Sequence, residues 1–364
     1  TCWSNWFTAA GYRAALSGKT HVNPPRVFDY EHLMTPKAVS EGHDPDFGAV
    51  DDFLADCVRK NQNFGLYICS TQPHAPWNKG DPSKYPPDKL QLPPNFVDTP
   101  ETREAYSRYL AEITYFDGQV GRALDLLDKH GLAGDTMVVV LTEQGSAFPF
   151  AKWTCYDAGV TSGMVVRWPG HVNPGGTSDA LVEYIDIMPT FCEAAKIRTP
   201  GDLDGRSFLG LLKGATGRHK DYAFSLATSR GLNNGPECYG VRSVRGARHR
   251  YILNLSPGET FVNWTTLQPW YEQWREKAAA GDKHAAGMVK RYQHRPAEEL
   301  YDVEKDPWCL DNIMGDPSLK DELATLRRQL AAWMKDQGDK GQATEMAAKD
   351  RLWKNARENP GRKN

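Results

Sequence analysis

Six side chains suited to catalysis or ligand binding lie at or shortly after the ends of apolar stretches: Lys19, His21, His74, Glu143, Gln144 and Lys152. The carboxylate and amide oxygens among them suit a hard divalent cation such as calcium. Ammonium groups neutralise an oxyanion, and an imidazole can protonate a departing oxygen. Together with a metal ion that polarises a non-bridging oxygen, such a set suits the hydrolysis of a tetrahedral oxyanion ester.

Three apolar segments are predicted to be the strands that position these side chains: residues 12–16, 64–70 and 136–142. The last has no polar alternation, which is typical of a strand covered on both faces in a mostly parallel sheet. Because the carboxyl ends of parallel strands meet at one edge, the side chains are expected to converge there. Apolar residues at helical spacing predict helices over 50–58 and 103–130. This alternation predicts an α/β fold with a large mixed, mostly parallel sheet sandwiched by helices.

The composition changes around residues 201–217, where glycine is frequent and a domain boundary is predicted. Residues 1–217 are the predicted catalytic α/β domain. Residues 218–335 are predicted to form a smaller α+β subdomain with an antiparallel sheet and a helix, since they contain a hairpin pattern, a further strand and an amphipathic helix. Residues 336–364 are predicted to be a charged tail, an exposed helix with a frayed end.

The overall composition excludes several classes of protein. Over 364 residues, Lys+Arg 44 and Asp+Glu 46 give a net charge of −2, so no overall field attracts nucleic acid. No apolar run approaches the roughly 18 to 20 residues that span a bilayer. The seven scattered cysteines include no C-x-x-C and predict neither a zinc site nor a disulfide framework, and at most an isolated bridge. The chain opens without a charged-then-apolar leader, so a signal peptide is expected to be absent or already removed.

Other candidate features have alternative interpretations. Gly18-Lys19-Thr20 is not a phosphate-binding P-loop, because Arg13 stands where that motif needs its first glycine. A group of tryptophans is predicted either to stack on sugar rings or to pack a subdomain interface: Trp264, Trp270 and Trp274. A group of arginines is predicted either to meet sulfates or uronates of a polyanionic substrate or to form a solvated face: Arg242, Arg245, Arg248 and Arg250.

Five motifs follow one another along the chain: Gly11-Tyr12-Arg13 with Gly18-Lys19-Thr20-His21, Pro73-His74-Ala75-Pro76, Thr142-Glu143-Gln144-Gly145 with Lys152, Tyr184-Ile185-Asp186-Ile187-Met188-Pro189-Thr190, and Glu299-Leu300-Tyr301-Asp302-Val303 with Asp306-Pro307 and Asn312. In order and rough spacing they resemble the type I sulfatases of the alkaline phosphatase superfamily. Phe148-Pro149 and Lys152-Trp153-Thr154 are closer to the bacterial polysaccharide sulfatases and sulfamidases than to the small arylsulfatases.

The resemblance implies a role for each matching catalytic position. Lys19 would hold both the sulfate and the nucleophile, and His21 would be the base that later breaks the enzyme hemiacetal ester. His74 would bind sulfate and help to protonate the leaving oxygen or nitrogen. Lys152 would clamp a sulfate oxygen.

The resemblance also implies a calcium ion held by Glu143 and Gln144. The family usually has Asp followed by Asn or His at these positions. A Glu reaches one methylene farther and still offers oxygen, and Gln offers a carbonyl as Asn does, so the metal site is expected to survive.

The family's nucleophile is formylglycine, made from the Cys or Ser of a C/S-x-P/A-x-R sequence upstream of the Gly-Tyr motif, where a paired Asp also binds the metal. None of the seven cysteines fits this pattern. The chain is therefore expected to lack the segment that carries the nucleophile, and residues 1–364 alone are expected to be inactive.

The sequence thus predicts a calcium-dependent sulfatase that cleaves a sulfate ester, or an N-sulfate, of a carbohydrate. Two alternatives stay open: a phosphate mono- or diesterase of the same superfamily, and a catalytically inactive protein that binds sulfated glycans. The predicted partner is a sulfated carbohydrate, with no nucleic acid and no membrane. The resemblance implies a periplasmic or secreted location.

Overall fold

The computed structural model describes residues 2–20, 22, 27–35, 44–199, 201–228 and 238–348. The helices are α1 Trp3–Ala9, α2 Phe47–Arg59, α3 Pro100–Lys129, α4 Asp157–Val160, α5 Ile187–Ala194, α6 Leu209–Leu212, α7 Pro269–Ala279, α8 Lys283–Gln293, α9 Lys320–Asp336 and α10 Gln342–Met346. The strands are β1 Arg13–Gly18, β2 Glu31–His32, β3 Phe64–Cys69, β4 Val138–Leu141, β5 Met164–Arg167, β6 Ala223–Ala227, β7 Val241–Arg245, β8 His249–Asn254 and β9 Glu298–Asp302. His21 lies outside the described residues.

Two compact units interleave along the chain. The first contains Thr1–Tyr85, Arg108–Leu141 and Gly163–Lys220, and the second contains Pro86–Ser107, Thr142–Ser162 and Asp221–Asn364. The first unit contains the parallel sheet, and the second contains an antiparallel sheet. This mixed architecture confirms the predicted α/β fold class with a C-terminal antiparallel sheet. The predicted functional division at residue 217 stays a prediction.

The parallel sheet of the first unit has the strand order β2-β1-β3. Neighbouring residues of a strand point to opposite faces, and helices cover both faces. Gly65 of β3 lies against Phe7 of α1, since a Cβ built there would be 3.2 Å from the Phe7 ring. Leu66, on the other face, packs on the core that includes Ala15 of β1 and Leu54 of α2. The sheet is therefore sandwiched by helices, as predicted.

Helix α2 has a defined start and a buried stripe. The Asp46 side chain accepts the backbone N–H of Ala49 at 3.1 Å, which caps a helix end that would otherwise leave its first donors unpaired. Val50 and Leu54, four residues apart, are both buried. Burying such an aliphatic side chain contributes roughly 1.5–3 kcal/mol, so packing rather than local preference holds this helix on the sheet.

Strand β4 has a different partner from the one predicted. It pairs antiparallel with β5, Val139 opposite Val166, in a separate two-stranded sheet. Each of its four residues is half-buried, so the expectation of full cover on both faces within the parallel sheet is wrong for the described residues. An apolar run indicates a strand, but it specifies neither which strand lies beside it nor how completely its faces are covered.

The second unit contains a four-stranded antiparallel sheet of order β6-β7-β8-β9. The predicted hairpin is confirmed: β7 and β8 pair with Val244 opposite Tyr251. Helix α9 covers one face, where Leu326 and Leu330 pack with Val244, Tyr251 and Leu300. This is the predicted combination of an antiparallel sheet with an amphipathic helix.

Two of the four hairpin arginines, Arg242 and Arg250, do not lie on the solvated or substrate-facing surface that was predicted, whereas Arg248 is exposed. Arg242 is only 2% exposed and its guanidinium lies 2.7 Å from the Glu345 carboxylate. Arg250 is only 4% exposed and lies 2.8 Å from Asp157. Glu345 belongs to α10, within the predicted exposed tail, yet it is 3% exposed. Ion pairing across the sequence therefore buries both arginines and packs this part of the tail.

All seven cysteines are free thiols. Among the described helices, none is both long enough and apolar enough to cross a membrane.

Candidate functional site

Lys19 follows directly on β1, at a point where a backbone carbonyl of β3 lies against Gly18. Its backbone N–H donates to the carbonyl of Cys69 at 2.9 Å, and Gly18 pairs with Cys69 in the parallel register. Gly18 has φ +97°, and a Cβ there would lie 2.1 Å from the Cys69 carbonyl oxygen. Only glycine fits this position, so the sequence Gly18-Lys19 fixes where the half-buried Lys19 side chain leaves the sheet.

His74 lies on the loop after β3, at the same edge of the sheet as Lys19. Its Nδ1 is 2.6 Å from the Ala75 carbonyl oxygen, and its backbone N–H donates to Thr71 at 3.1 Å. A carbonyl partner holds a proton on Nδ1, so Nε2 is the nitrogen that gains and loses the second proton. The side chain is exposed. The prediction that the first two strands deliver polar groups to one edge is therefore met for Lys19 and His74.

A buried carboxylate, which sequence reasoning missed, anchors the end of the His74 loop. Glu112 of α3 is 0% exposed and accepts the backbone N–H groups of Asn78 at 2.7 Å and Lys79 at 3.1 Å. Burial raises the pKa of this carboxyl group, while the two N–H groups oppose the shift. The signal was present in the sequence, since Glu112 lies three residues after Tyr109 on the apolar stripe of the predicted helix.

Glu143 and Gln144 begin the segment after β4 and contact each other. With its amide nitrogen turned towards the carboxylate, Gln144 donates to the two Glu143 oxygens at 2.9 and 3.0 Å. Rotating the amide by 180° presents its oxygen there instead, so both side chains can direct oxygen atoms at one cation. Glu143 is exposed and its carbonyl accepts the Ser162 hydroxyl, which fixes the backbone while the carboxylate stays accessible.

Glu143 and Gln144 offer the types of ligand atom that calcium prefers, but too few of them to complete its coordination. Carboxylate and amide oxygens are calcium ligands, but the ion takes about six to eight of them. Among residues 2–348, so far as they are described, no group of three or more His, Cys, Asp or Glu side chains is arranged to hold a metal. Glu143 and Gln144 therefore suit part of a coordination shell.

Lys152 lies on a tightly folded loop whose shape depends on two glycines. A Cβ on Gly145 would lie 1.8 Å from the Ala158 carbonyl oxygen, and one on Gly159 would lie 2.4 Å from the Ala151 carbonyl oxygen. The Lys152 backbone N–H donates to Ser146 at 2.9 Å. The half-buried Lys152 side chain is thus carried by a loop that closes on itself by backbone contact.

The motifs that contain Asp186 and Glu299 have a structural role. Asp186 is completely buried, pairs with Lys220 at 2.8 Å and accepts the Arg206 backbone N–H at 2.8 Å. Glu299 is 2% exposed and accepts the Tyr156 hydroxyl at 3.0 Å. These carboxylates satisfy buried donors.

Two thiols near these loops, the half-buried Cys69 and the buried Cys155, are poor nucleophiles. Burial raises the pKa of Cys69 to about 11, although the nearby Lys19 charge opposes the shift. Burial also raises the pKa of Cys155 to about 11. Both thiols therefore stay protonated at neutral pH. The prediction that Cys155 is a small buried thiol is confirmed, since the residue is 1% exposed.

Lys19 and His74 thus lie on the first unit, and Glu143, Gln144 and Lys152 lie on one segment of the second. The fold combines a helix-covered parallel sheet with a separate antiparallel sheet, and comparison with known proteins identifies the family. The Sulfatase family model matches residues 2–197, more than half of the chain, and the chain belongs to the sulfatase family. A second model, for the C-terminal region of N-sulphoglucosamine sulphohydrolase, matches residues 145–261.

Two relatives and one solved structure illustrate the similarity. The chain is 29% identical over 336 residues to an ulvan-active sulfatase of Formosa agariphila, covering 90% of this chain and 63% of that protein. It is 25% identical to human N-sulphoglucosamine sulphohydrolase, covering 89% of this chain and 71% of that protein. A structure in complex with its substrate D-glucosamine-2-N,6-O-disulfate shares the fold, with a TM-score of 0.66, 15% identity, and coverage of 94% of this chain and 83% of that one. The chain spans less than two thirds of the ulvan-active relative.

Proposed function

We propose that the full-length protein is a sulfatase that hydrolyses a sulfate ester, or an N-sulfate, of a sulfated carbohydrate. The observation that supports this most directly is the placement of Lys19 and the His74 loop after paired strands, Gly18 opposite Cys69, in a chain of the sulfatase family. An ammonium group and an imidazole at one sheet edge can neutralise a sulfate and protonate its leaving group.

Each catalytic candidate has a proposed task. Lys19 binds sulfate oxygen with an ammonium group whose backbone is fixed to β3. His74 carries the transferable proton on Nε2, because Nδ1 is engaged by the Ala75 carbonyl. Lys152 holds a second sulfate oxygen. His21 is the proposed base for release of sulfate from the enzyme, an assignment that rests on the family motif.

We propose that Glu143 and Gln144 supply oxygen ligands to calcium. A bound calcium ion would reduce the negative charge on the sulfate oxygens. We also propose a formylglycine nucleophile. No C/S-x-P/A-x-R sequence occurs in the 364 residues, so another part of the full-length protein would supply it.

The relatives suggest two substrate classes. One acts on ulvan, and the other is named for N-sulphoglucosamine, so both O-sulfated polysaccharide and N-sulfated glucosamine are candidate substrates. Because a sulfated polysaccharide is too large to enter cells readily, we propose a periplasmic or secreted location. Cell fractionation with an antibody against the protein would test this.

The test of function is release of inorganic sulfate by the full-length protein. Ulvan oligosaccharides and D-glucosamine-2-N,6-O-disulfate would be offered as substrates, with the matching phosphate ester of glucosamine as a control. We expect sulfate from at least one sulfated substrate, and a loss of about 100-fold or more in kcat/KM for His74→Ala, since general acid catalysis contributes on this scale. His171→Ala is the matched control, because that imidazole stacks on Trp168 at 4.0 Å and has no proposed task.

Two results would contradict the proposal. Faster hydrolysis of the phosphate ester than of either sulfated substrate would indicate a phosphoesterase. Equal activities of the His74 and His171 variants would remove His74 from the catalytic set.

A further inference from the structure

The three tryptophans whose role the sequence left open belong to an aromatic cluster of the second unit, and they differ in burial. Trp270 and Trp274 are 6% and 0% exposed and are therefore part of the core. Trp264 is half-buried, and its ring meets that of Trp270 edge to face at 5.7 Å. One face of the cluster is thus closed by packing, while Trp264 keeps part of its indole accessible.

Trp153 brings a second half-buried indole beside Trp264. The two ring centroids are 6.3 Å apart with the planes tilted by 44°. The Lys152 Nζ lies 5.1 Å from the Trp153 ring centroid, within the range of a cation–π contact. An apolar aromatic surface therefore lies directly beside the ammonium group proposed to hold sulfate.

The backbone at Trp153 is held in an uncommon conformation. Its φ is +69°, in the left-handed region, which disfavours bulky side chains. Such a conformation persists only where the surroundings determine it. Here the neighbouring Thr154 is 2% exposed and its hydroxyl donates to the Ala151 carbonyl at 2.7 Å. The loop thus turns the Trp153 ring towards Lys152 at a conformational cost.

Trp264 is fixed to the same loop from its other side. The adjacent Thr265 is 0% exposed and its hydroxyl donates to the carbonyl of Ala147. The backbone that carries each indole is therefore fixed before any ligand arrives, which lowers the entropy lost on binding.

We propose that Trp153 and Trp264 form a sugar-stacking subsite. The C–H face of the pyranose ring that carries the sulfate packs on this aromatic pair, and the Lys152 ammonium group binds an anionic oxygen of that sulfate. A sugar ring suits the position because it joins an apolar C–H face to a charged substituent, which is the combination that the indoles and the ammonium group present. This inference rests on the proposed function of Lys152.

The test is calorimetric binding to the full-length protein of three probes: D-glucosamine-2-N,6-O-disulfate, unsulfated glucosamine and inorganic sulfate. We expect Trp153→Ala and Trp264→Ala to weaken binding of the disulfated sugar by about tenfold or more, the scale of one lost stacking contact, and to leave inorganic sulfate unaffected. Trp264→Phe, which keeps an aromatic ring and guards against misfolding, should lose less. Lys152→Ala should weaken both anionic probes. Trp308→Ala, at another tryptophan that is 36% exposed, is the matched control.

The outcomes separate this inference from the proposed function. If Lys152→Ala weakens both anions while Trp153→Ala and Trp264→Ala match Trp308→Ala, the sulfate site stands and the stacking subsite is wrong. If the wild-type protein binds the disulfated sugar no more tightly than inorganic sulfate, the stacking subsite is also wrong. If no anionic probe binds, the proposed function fails and the subsite fails with it.

Discussion

Replacing Gly18 with alanine should damage the sheet edge that carries Lys19, and the expected size follows from two contributions. The first is conformational: φ at Gly18 is +97°, which costs an L-residue roughly 1–2 kcal/mol. The second is steric, because the new Cβ would lie 2.1 Å from the Cys69 oxygen and 2.9 Å from its carbonyl carbon. Both are backbone atoms of a paired strand, so relief requires the β1–β3 register to shift, at roughly 1–3 kcal/mol for overpacking. The sum is about 2–5 kcal/mol of lost stability.

Gly11 provides a matched control for this substitution. It ends α1 in a Schellman arrangement, where the N–H of Tyr12 donates to Phe7 at 2.9 Å and that of Gly11 donates to Thr8 at 3.0 Å. Its φ is +84°, but a Cβ there would meet nothing within 4 Å. Gly11→Ala should therefore show only the conformational cost of about 1–2 kcal/mol.

Urea titration followed by circular dichroism would measure both variants against the wild type. Hydrogen exchange at the Lys19 amide, whose bond to the Cys69 carbonyl is 2.9 Å long, would report the local effect. Gly18→Ala should lower the unfolding midpoint more than Gly11→Ala and should accelerate exchange at Lys19. Equal midpoints and unchanged exchange would refute the reasoning that close backbone approach fixes this edge.

Three further predictions concern stability and activity. Glu112→Leu leaves the Asn78 and Lys79 N–H groups without their acceptor, so urea titration should show a loss of about 1–3 kcal/mol in stability. Glu112→Gln keeps an oxygen and should lose less. Equal losses for the two variants would contradict the anchoring role. The hydrogen bond from Arg248 lowers the pKa of Asp302 to about 2, below the value of about 3.9 in an unfolded chain. This contribution is present above about pH 3.9 and is lost as the pH falls towards about 2, so Asp302→Asn should flatten the acid side of a Tm-against-pH curve, and an unchanged slope would argue against it. Residues 1–364 expressed alone should release no sulfate from any tested glycan, and release above the uncatalysed rate would contradict the expected absence of the nucleophile.

The spacing of apolar residues within each segment predicted most of the helices and strands, because that spacing largely determines whether a segment forms a helix or a strand. The buried stripe of α2 and the amphipathic repeat of α9 are properties of the segments themselves. The hairpin of β7 and β8 is similarly local, since its strands are separated by a short turn. Choosing Lys19 and His74 as site residues among the other lysines and histidines also required the family motifs, since neither residue type indicates a site by itself.

Contacts between distant residues were not predictable. The antiparallel pairing of β4 with β5 depends on a strand that follows after a long connection, and an apolar run is compatible with either direction of neighbour. Arg242 and Arg250 are buried because Asp339 and Asp157 lie close in space, although they are distant in sequence. Trp264 is partly exposed and Trp270 is buried because of tertiary packing, and the spacing of the tryptophans in the sequence does not indicate this difference.

Sulfate release by the full-length protein, compared between Lys19→Ala and Lys129→Ala, tests the central claim most directly. Lys129 is a surface lysine, 58% exposed, that pairs with Asp51, so its loss removes the same charge without touching the proposed site. Ion chromatography would quantify sulfate from ulvan oligosaccharides and D-glucosamine-2-N,6-O-disulfate. We predict near wild-type release by the Lys129 variant and a decrease of about 100-fold or more for the Lys19 variant, as expected when a charge-stabilising donor is removed. Equal release by the two variants would contradict the assignment of Lys19 to the sulfate site, and release by neither the variants nor the wild type would contradict the proposed sulfatase activity.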